Sequence, residues 1–240
     1  MIPAIVLTKA VVERAGQRVI HGMDLTVERG TWFGVIGANG SGKTSLLRAL
    51  AGRLPFASGA CQVDGDELCA DRTARASRFG FCSPIDMLPD ALRTRDVLEL
   101  VGGDLDAVRL RLGVLQEALG LAPLLDRWIG DCSAGMRQRI ALAAAFAGDH
   151  SMVILDEPFN WLDPVAVYDL RKMLRTKVDA GLTMVTALHD LGTLATACDA
   201  GLMLAAGRGA LALNEELLRT AARDPQAFER RTIDLLRSGV

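Results

Sequence analysis

Apolar residues follow two rhythms along the chain. In the first third they gather in short runs, Ile5 to Glu13, Met23 to Val27 and Trp32 to Ile36, a pattern that predicts strands. The last run is apolar almost throughout, as in a strand buried on both faces, and leads directly into the glycine-rich stretch Gly37 to Gly42. Ser45 to Gly52 then predicts a helix, and Cys61 to Val63 with Asp64-Gly65 a short strand and turn on an antiparallel flank. From Pro84 to Ala147 the spacing changes to three and four. Leu92, Val97, Leu98 and Val101, then Val108, Leu112, Leu115 and Leu119, fall on helical faces. Met152 to Leu155 and Thr183 to Leu188 restore the buried-strand pattern, while Asn214 and Asp224-Pro225 mark the starts of two short closing helices. Strands alternating with helices predict an α/β fold with a parallel sheet covered by helices. The expected division is a core of residues 1–83 and 148–207, a helical insertion over 84–147 and C-terminal helices over 208–240.

Half of the 240 residues are apolar, enough for one large core or two modest lobes. A formal charge of −2, from 27 basic and 29 acidic residues, argues against a basic face for nucleic acid, so no nucleic-acid partner is expected. Arginine far outnumbers lysine, which reads as coding bias and makes Lys43 conspicuous. The five cysteines form no CxxC pair, lie near no ligating histidines and are odd in number; neither a zinc site nor a disulfide framework is implied, and a reducing cytosol fits. Met1 to Leu7 is too short for a signal peptide, and charges interrupt every later apolar run well before 18 residues, so no membrane span is expected.

Two segments carry chemistry. Gly37-Ala38-Asn39-Gly40-Ser41-Gly42-Lys43-Thr44, followed by Ser45, has the full P-loop spacing between a predicted strand and a predicted helix. Its glycines let successive backbone N–H groups turn inward, and the helix N-terminus adds partial positive charge, so polyphosphate is held largely by main chain. Lys43 supplies a mobile full charge for the β- and γ-phosphates and the Thr44 hydroxyl a ligand for Mg²⁺. The strand Met152 to Leu155 delivers Asp156 and Glu157 at its C-terminal end, where open α/β sheets bind ligands. Neighbouring side chains on a strand diverge, so Asp156 faces the metal while Glu157 addresses the attacking water as general base.

Asp156-Glu157-Pro158, then Leu162-Asp163-Pro164, with His189 beyond the next strand, resembles an ATP-binding cassette (ABC) protein over nearly the whole chain. The most specific element is Cys132-Ser133-Ala134-Gly135-Met136-Arg137-Gln138-Arg139, similar to the family's LSGGQ-type signature and placed before an apolar helix. The resemblance implies a P-loop NTPase cassette with an antiparallel β flank and an inserted helical subdomain, using ATP and Mg²⁺. It implies that Ser133 and the Gly135 backbone contact the γ-phosphate held by a second cassette, that Asp163 crosses the dimer interface, and that His189 bonds the γ-phosphate and positions Glu157. It further implies a separate transmembrane permease subunit whose coupling helix enters a groove near Ser83 to Leu98, and a place on the cytoplasmic face of the membrane. The short chain leaves no room for an appended β-domain, which with Met136 points to an exporter-type cassette; a soluble ABC ATPase such as that of iron–sulfur cluster assembly is the alternative.

Three features depart from the family pattern. The glutamine expected at the junction of sheet and helical lobe is missing from Gly80 to Asp86, where Pro84 takes its position and Ser83 or Asp86 supplies an oxygen only if the loop rearranges. No aromatic lies around Val11 to Arg14 to stack on adenine, leaving Arg14 for cation–π contact or Val12 for packing. Ala134 replaces the first signature glycine, adding a methyl near backbone that must approach phosphate.

Overall fold

The computed structural model describes residues 2–224 and, beyond them, residues 226, 228 and 230. An antiparallel sheet opens the chain: β1 (Ile5–Arg14), β2 (Gln17–Val27), β4 (Ser58–Val63) and β5 (Asp66–Glu67) lie in the order β2-β1-β4-β5. The second sheet has six strands. They are β3 (Trp32–Ile36), β6 (Phe79–Cys82), β7 (Met152–Asp156), β8 (Thr183–Leu188), β9 (Ala200–Ala205) and β10 (Arg208–Leu213), ordered β10-β9-β3-β8-β7-β6. All its pairings are parallel except the β9-β10 hairpin.

Nine α-helices complete the described chain. α1 (Lys43–Leu50) follows the glycine-rich loop and α2 (Arg72–Ala76) precedes β6. α3 (Thr94–Gly102), α4 (Leu105–Leu112), α5 (Leu115–Ala118) and α6 (Ala134–Ala145) form the helical stretch, and α7 (Pro164–Asp179), α8 (Leu191–Ala197) and α9 (Glu215–Arg223) follow the later strands.

Alternation along the parallel strands feeds two cores. Phe33 and Val35, Met152 and Ile154, and Val185 and Ala187 face the core shared with α1 and the antiparallel sheet. Trp32 and Ile36, Val153 and Leu155, and Met184 and Leu188 face the core built with α3 to α9. A strand with period two and apolar residues at every position is thus covered on both faces, as the sequence pattern requires.

Several expectations need adjusting. The strand predicted at Met23 to Val27 begins at Gln17, where it pairs with Arg14. Residues 208–213, expected in C-terminal helices, form β10 on the sheet edge, because hairpin pairing with β9 from Arg208↔Ala205 to Leu213↔Gly201 outweighs any helical spacing in so short a run. Val101, expected on an apolar helical face, is 51% exposed because α3 turns it outward, whereas Val97 and Leu98 are buried. The helix start at Asn214 is the N-cap of α9, its Oδ1 accepting from Leu217 N–H at 2.9 Å. The second start, Asp224-Pro225, opens a segment that lies largely outside the described residues.

Candidate functional site

The C-terminal ends of β3, β7 and β8 bring the predicted chemistry together. β3 ends at Ile36, and the loop behind it enters α1 through Gly42, whose φ of +105° is a left-handed conformation that side chains rarely adopt. Asn39 to Ser45 line a cleft of about 390 Å³ with Arg14, Val19 and Glu157. Lys43 is 5% exposed and its Nζ donates to the carbonyls of Gly37, at 2.7 Å, and Ala38, at 3.4 Å. Burial pushes its ammonium below the usual lysine range, opposed by Glu157 and Asp156. The Ser41 hydroxyl is buried with no protein partner.

Asp156 closes β7, and the Thr44 hydroxyl donates to its Oδ1 at 3.2 Å. Burial pushes its carboxyl up, against the lowering effect of the Thr44 hydrogen bond. Two hard oxygen donors, one carboxylate and one hydroxyl, therefore adjoin at the rim of the phosphate loop, a donor set that suits Mg²⁺. Glu157 follows with φ +52°. Its Oε1 lies 2.5 Å from His189 Nε2 and its Oε2 accepts from Asn160 Nδ2 at 2.8 Å. Asp190 beside His189 caps α8, accepting from the N–H groups of Gly192 and Thr193 and from the Thr193 hydroxyl. That cap fixes the end of β8, and with it the histidine.

Ser133 and Gly135 lie elsewhere in the chain. Ser133 is the N-cap of α6, its Oγ accepting from Met136 N–H at 3.4 Å; among the described residues the preceding N–H groups of Ala134 and Gly135 have no hydrogen-bond partner. Neither residue lines the phosphate-loop cleft. Instead the tip packs on the turn after Glu157: a Cβ added at Gly135 would stand 2.7 Å from the Trp161 carbonyl oxygen, and Arg139 pairs with Asp163 at 3.5 Å. Asp163 caps α7 through Ala166 N–H at 2.9 Å, a bond that holds its carboxyl below the usual range.

The structure places the residues at both departures from the family pattern. Val12 is fully buried between the sheets and cannot reach a base, whereas Arg14 lines the cleft, beside Val19, which sequence reading missed. At the junction, Pro84 caps a 3-10 turn over Ile85–Met87. Ser83 lines a separate cleft of about 340 Å³ with Met87, Leu88, Val97, Leu100 and Val101, the region expected for a groove. Asn160 was also missed, a turn residue that no spacing rule marks; Gln138, quoted within the signature segment, was given no role of its own.

The family pattern described as "ABC transporter" matches residues 20–160. The aliphatic sulfonates import ATP-binding protein SsuB 1 of Mesorhizobium japonicum is 34% identical over 220 residues, covering 90% of this chain and 81% of that one. Protein STAR1 of Oryza sativa subsp. japonica is 33% identical over 201 residues, 81% of this chain, which spans 58% of STAR1's length. Other matching relatives carry names of both import and export proteins. A solved structure described as the ATP binding subunit of an ABC transporter superposes with a TM-score of 0.84 at 23% identity, covering 98% of this chain and 99% of the other, and so shares its fold.

Proposed function

The chain belongs to the ABC transporter ATP-binding family, whose cassettes are ATPases, and from that premise we propose that it hydrolyses Mg-ATP to drive movement of a solute through a separate membrane subunit. The observation that carries the reading is the carboxylate of Glu157, held 2.5 Å from His189 and lining the same cleft as the phosphate loop. The loop's N–H groups and the α1 N-terminus bind the polyphosphate. Lys43 exchanges the carbonyls of Gly37 and Ala38 for β- and γ-phosphate oxygens, gaining acceptors that carry charge. Thr44 and Asp156 are the residues to hold Mg²⁺, which when bound neutralises charge on the phosphates. Glu157 takes the proton of the attacking water, while His189 orients that carboxylate and donates to the γ-phosphate.

Ser133 and Gly135 complete the site of a second cassette. Their helix tip presents N–H donors and positive dipole outside their own cleft, an arrangement that suits a phosphate bound by another copy or a sister subunit. We assign residues 1–83 and 148–213 to the nucleotide-binding core and 84–147 to the helical lobe. The permease contact is assigned to the cleft lined by Ser83, Met87, Leu100 and Val101, supported by Met87 and Leu100 at 71% and 75% exposure. Among the described residues no helix is long and apolar enough to cross a membrane. In this reading the pathway is lined by the partner, and the cassette works at the cytoplasmic face of the membrane. Export is the direction suggested by Met136; transport assayed in inside-out vesicles decides it.

Glu157→Gln should cut phosphate release by about 10²- to 10⁴-fold with Mg-ATP affinity retained. Unchanged turnover would remove Glu157 from the role of base. Affinity purification from detergent extract should recover a polytopic membrane subunit; recovery with soluble scaffold proteins would replace transport by an assembly function.

A further inference from the structure

We infer that Asn160 is a positioning residue for Glu157, fixing the plane of the carboxylate from a turn that is itself seated on α6; the inference rests on the assignment of Glu157 as base. The last torsion of a glutamate side chain is broad, so one hydrogen bond leaves its carboxylate free to swing. Here each oxygen has its own neighbour: His189 Nε2 lies 2.5 Å from Oε1, and Asn160 Nδ2 donates to Oε2 at 2.8 Å. A contact on each oxygen restrains the carboxylate's rotation. A carboxylate oxygen has room for two donors, so both bonds leave acceptor capacity for a water.

Asn160 reaches back because the chain reverses directly after β7. Glu157 adopts φ +52°, its N–H donates to Ala187 at 3.2 Å, and Asn160 N–H donates to the Glu157 carbonyl at 3.3 Å. A non-glycine residue in that conformation costs on the order of 1 kcal/mol or more, and it persists only where its surroundings impose it. The surroundings are α6. Gln138, 5% exposed, donates its Nε2 to the Pro158 carbonyl at 3.1 Å, and Gly135 lies against the Trp161 carbonyl with no room for a methyl. The helix that begins with Ser133 therefore grips the turn at two points, and Asn160 is the only side chain of that turn bonded to the Glu157 carboxylate among the described residues. Movement of α6 reaches the base through Asn160.

Asn160→Asp preserves shape and turn propensity but replaces the donor by a second carboxylate, and Asn160→Ala removes the group. In the full chain, steady-state Mg-ATP hydrolysis should show kcat reduced roughly 10- to 100-fold in both variants, as expected when a reacting group loses its orientation. KM for ATP and the affinity for Mg-ATP should stay within about threefold of wild type, since among the described residues the Asn160 side chain hydrogen-bonds Glu157 and no residue of the phosphate loop. Wild-type kcat in Asn160→Asp alongside a disabled Glu157→Gln would overturn the inference. So would a parallel loss of kcat, nucleotide affinity and thermal stability, which would mark Asn160 as purely structural. Wild-type turnover in Glu157→Gln would instead remove the base, and this inference with it.

Discussion

Arg75 shows how much a single side chain can carry without belonging to any motif. It is fully buried, and its guanidinium donates to the carbonyls of Ala49, Leu54, Leu68 and Cys69 while lying 4.8 Å from the Phe56 ring centroid. Burial pushes its pKa down, yet a guanidinium stays charged, so carbonyl dipoles and an aromatic face do the work of a counter-ion. The flat fork matches four acceptors around α1 and α2, and a lysine ammonium does not reach them all. Arg75→Lys should lower stability by about 3 kcal/mol, read as a melting temperature lower by roughly 6–12 °C, with Mg-ATP affinity little changed once folded. A melting temperature within a degree of wild type would show the carbonyls finding other donors. In the sequence Arg75 is one of 27 basic residues and nothing marks it. Lys43, by contrast, was legible because the loop around it has a fixed spacing that only one chemistry demands.

At the scale of elements, the tip of α6 and the turn after β7 behave as one unit. Gly135 admits the Trp161 carbonyl at a distance that no Cβ tolerates, and Arg139 on the same helix pairs with Asp163. Gly135→Ala must push the turn away, taking Asn160 and Glu157 with it. The expected outcome is ATP hydrolysis reduced about 10-fold or more, with nucleotide affinity retained and a stability cost of about 1–3 kcal/mol for the forced repacking. Full turnover would show that the turn carries the methyl without moving Glu157. The family resemblance placed Ser133 and Gly135 at a helix start, and Ser133 is the N-cap of α6. Sequence reading missed β6, β9 and β10, since runs such as Ala200 to Ala205 and Arg208 to Leu213 are short, rich in Ala and Gly, and become strands only by pairing with neighbours already in place.

Across the whole molecule, the two faces of the six-stranded sheet are sealed by different partners, α1 with the antiparallel sheet on one side and the helical stretch together with α7, α8 and α9 on the other. The nucleotide loop lies on the α1 side and the cleft with Met87, Leu100 and Val101 opens among residues of the helical stretch. Leu100→Glu, at a side chain 75% exposed, should leave folding and Mg-ATP binding of the isolated chain intact and abolish co-purification with the membrane subunit. Retained assembly would move the contact to another surface. What the sequence determined by itself was the local chemistry: a glycine loop that turns its N–H groups inward, a lysine behind it, paired carboxylates at a strand end, and a serine-capped helix. These follow from backbone conformation and spacing, which neighbouring residues set. Tertiary structure alone decided that Val12 is buried while Arg14 and Val19 line the cleft, that Arg75 is a buried cation, and that Asn160 and His189 grip the two oxygens of Glu157. Those contacts join segments whose separation along the chain carries no periodic signal, and only the packing of sheet, turn and α6 brings them within hydrogen-bond reach.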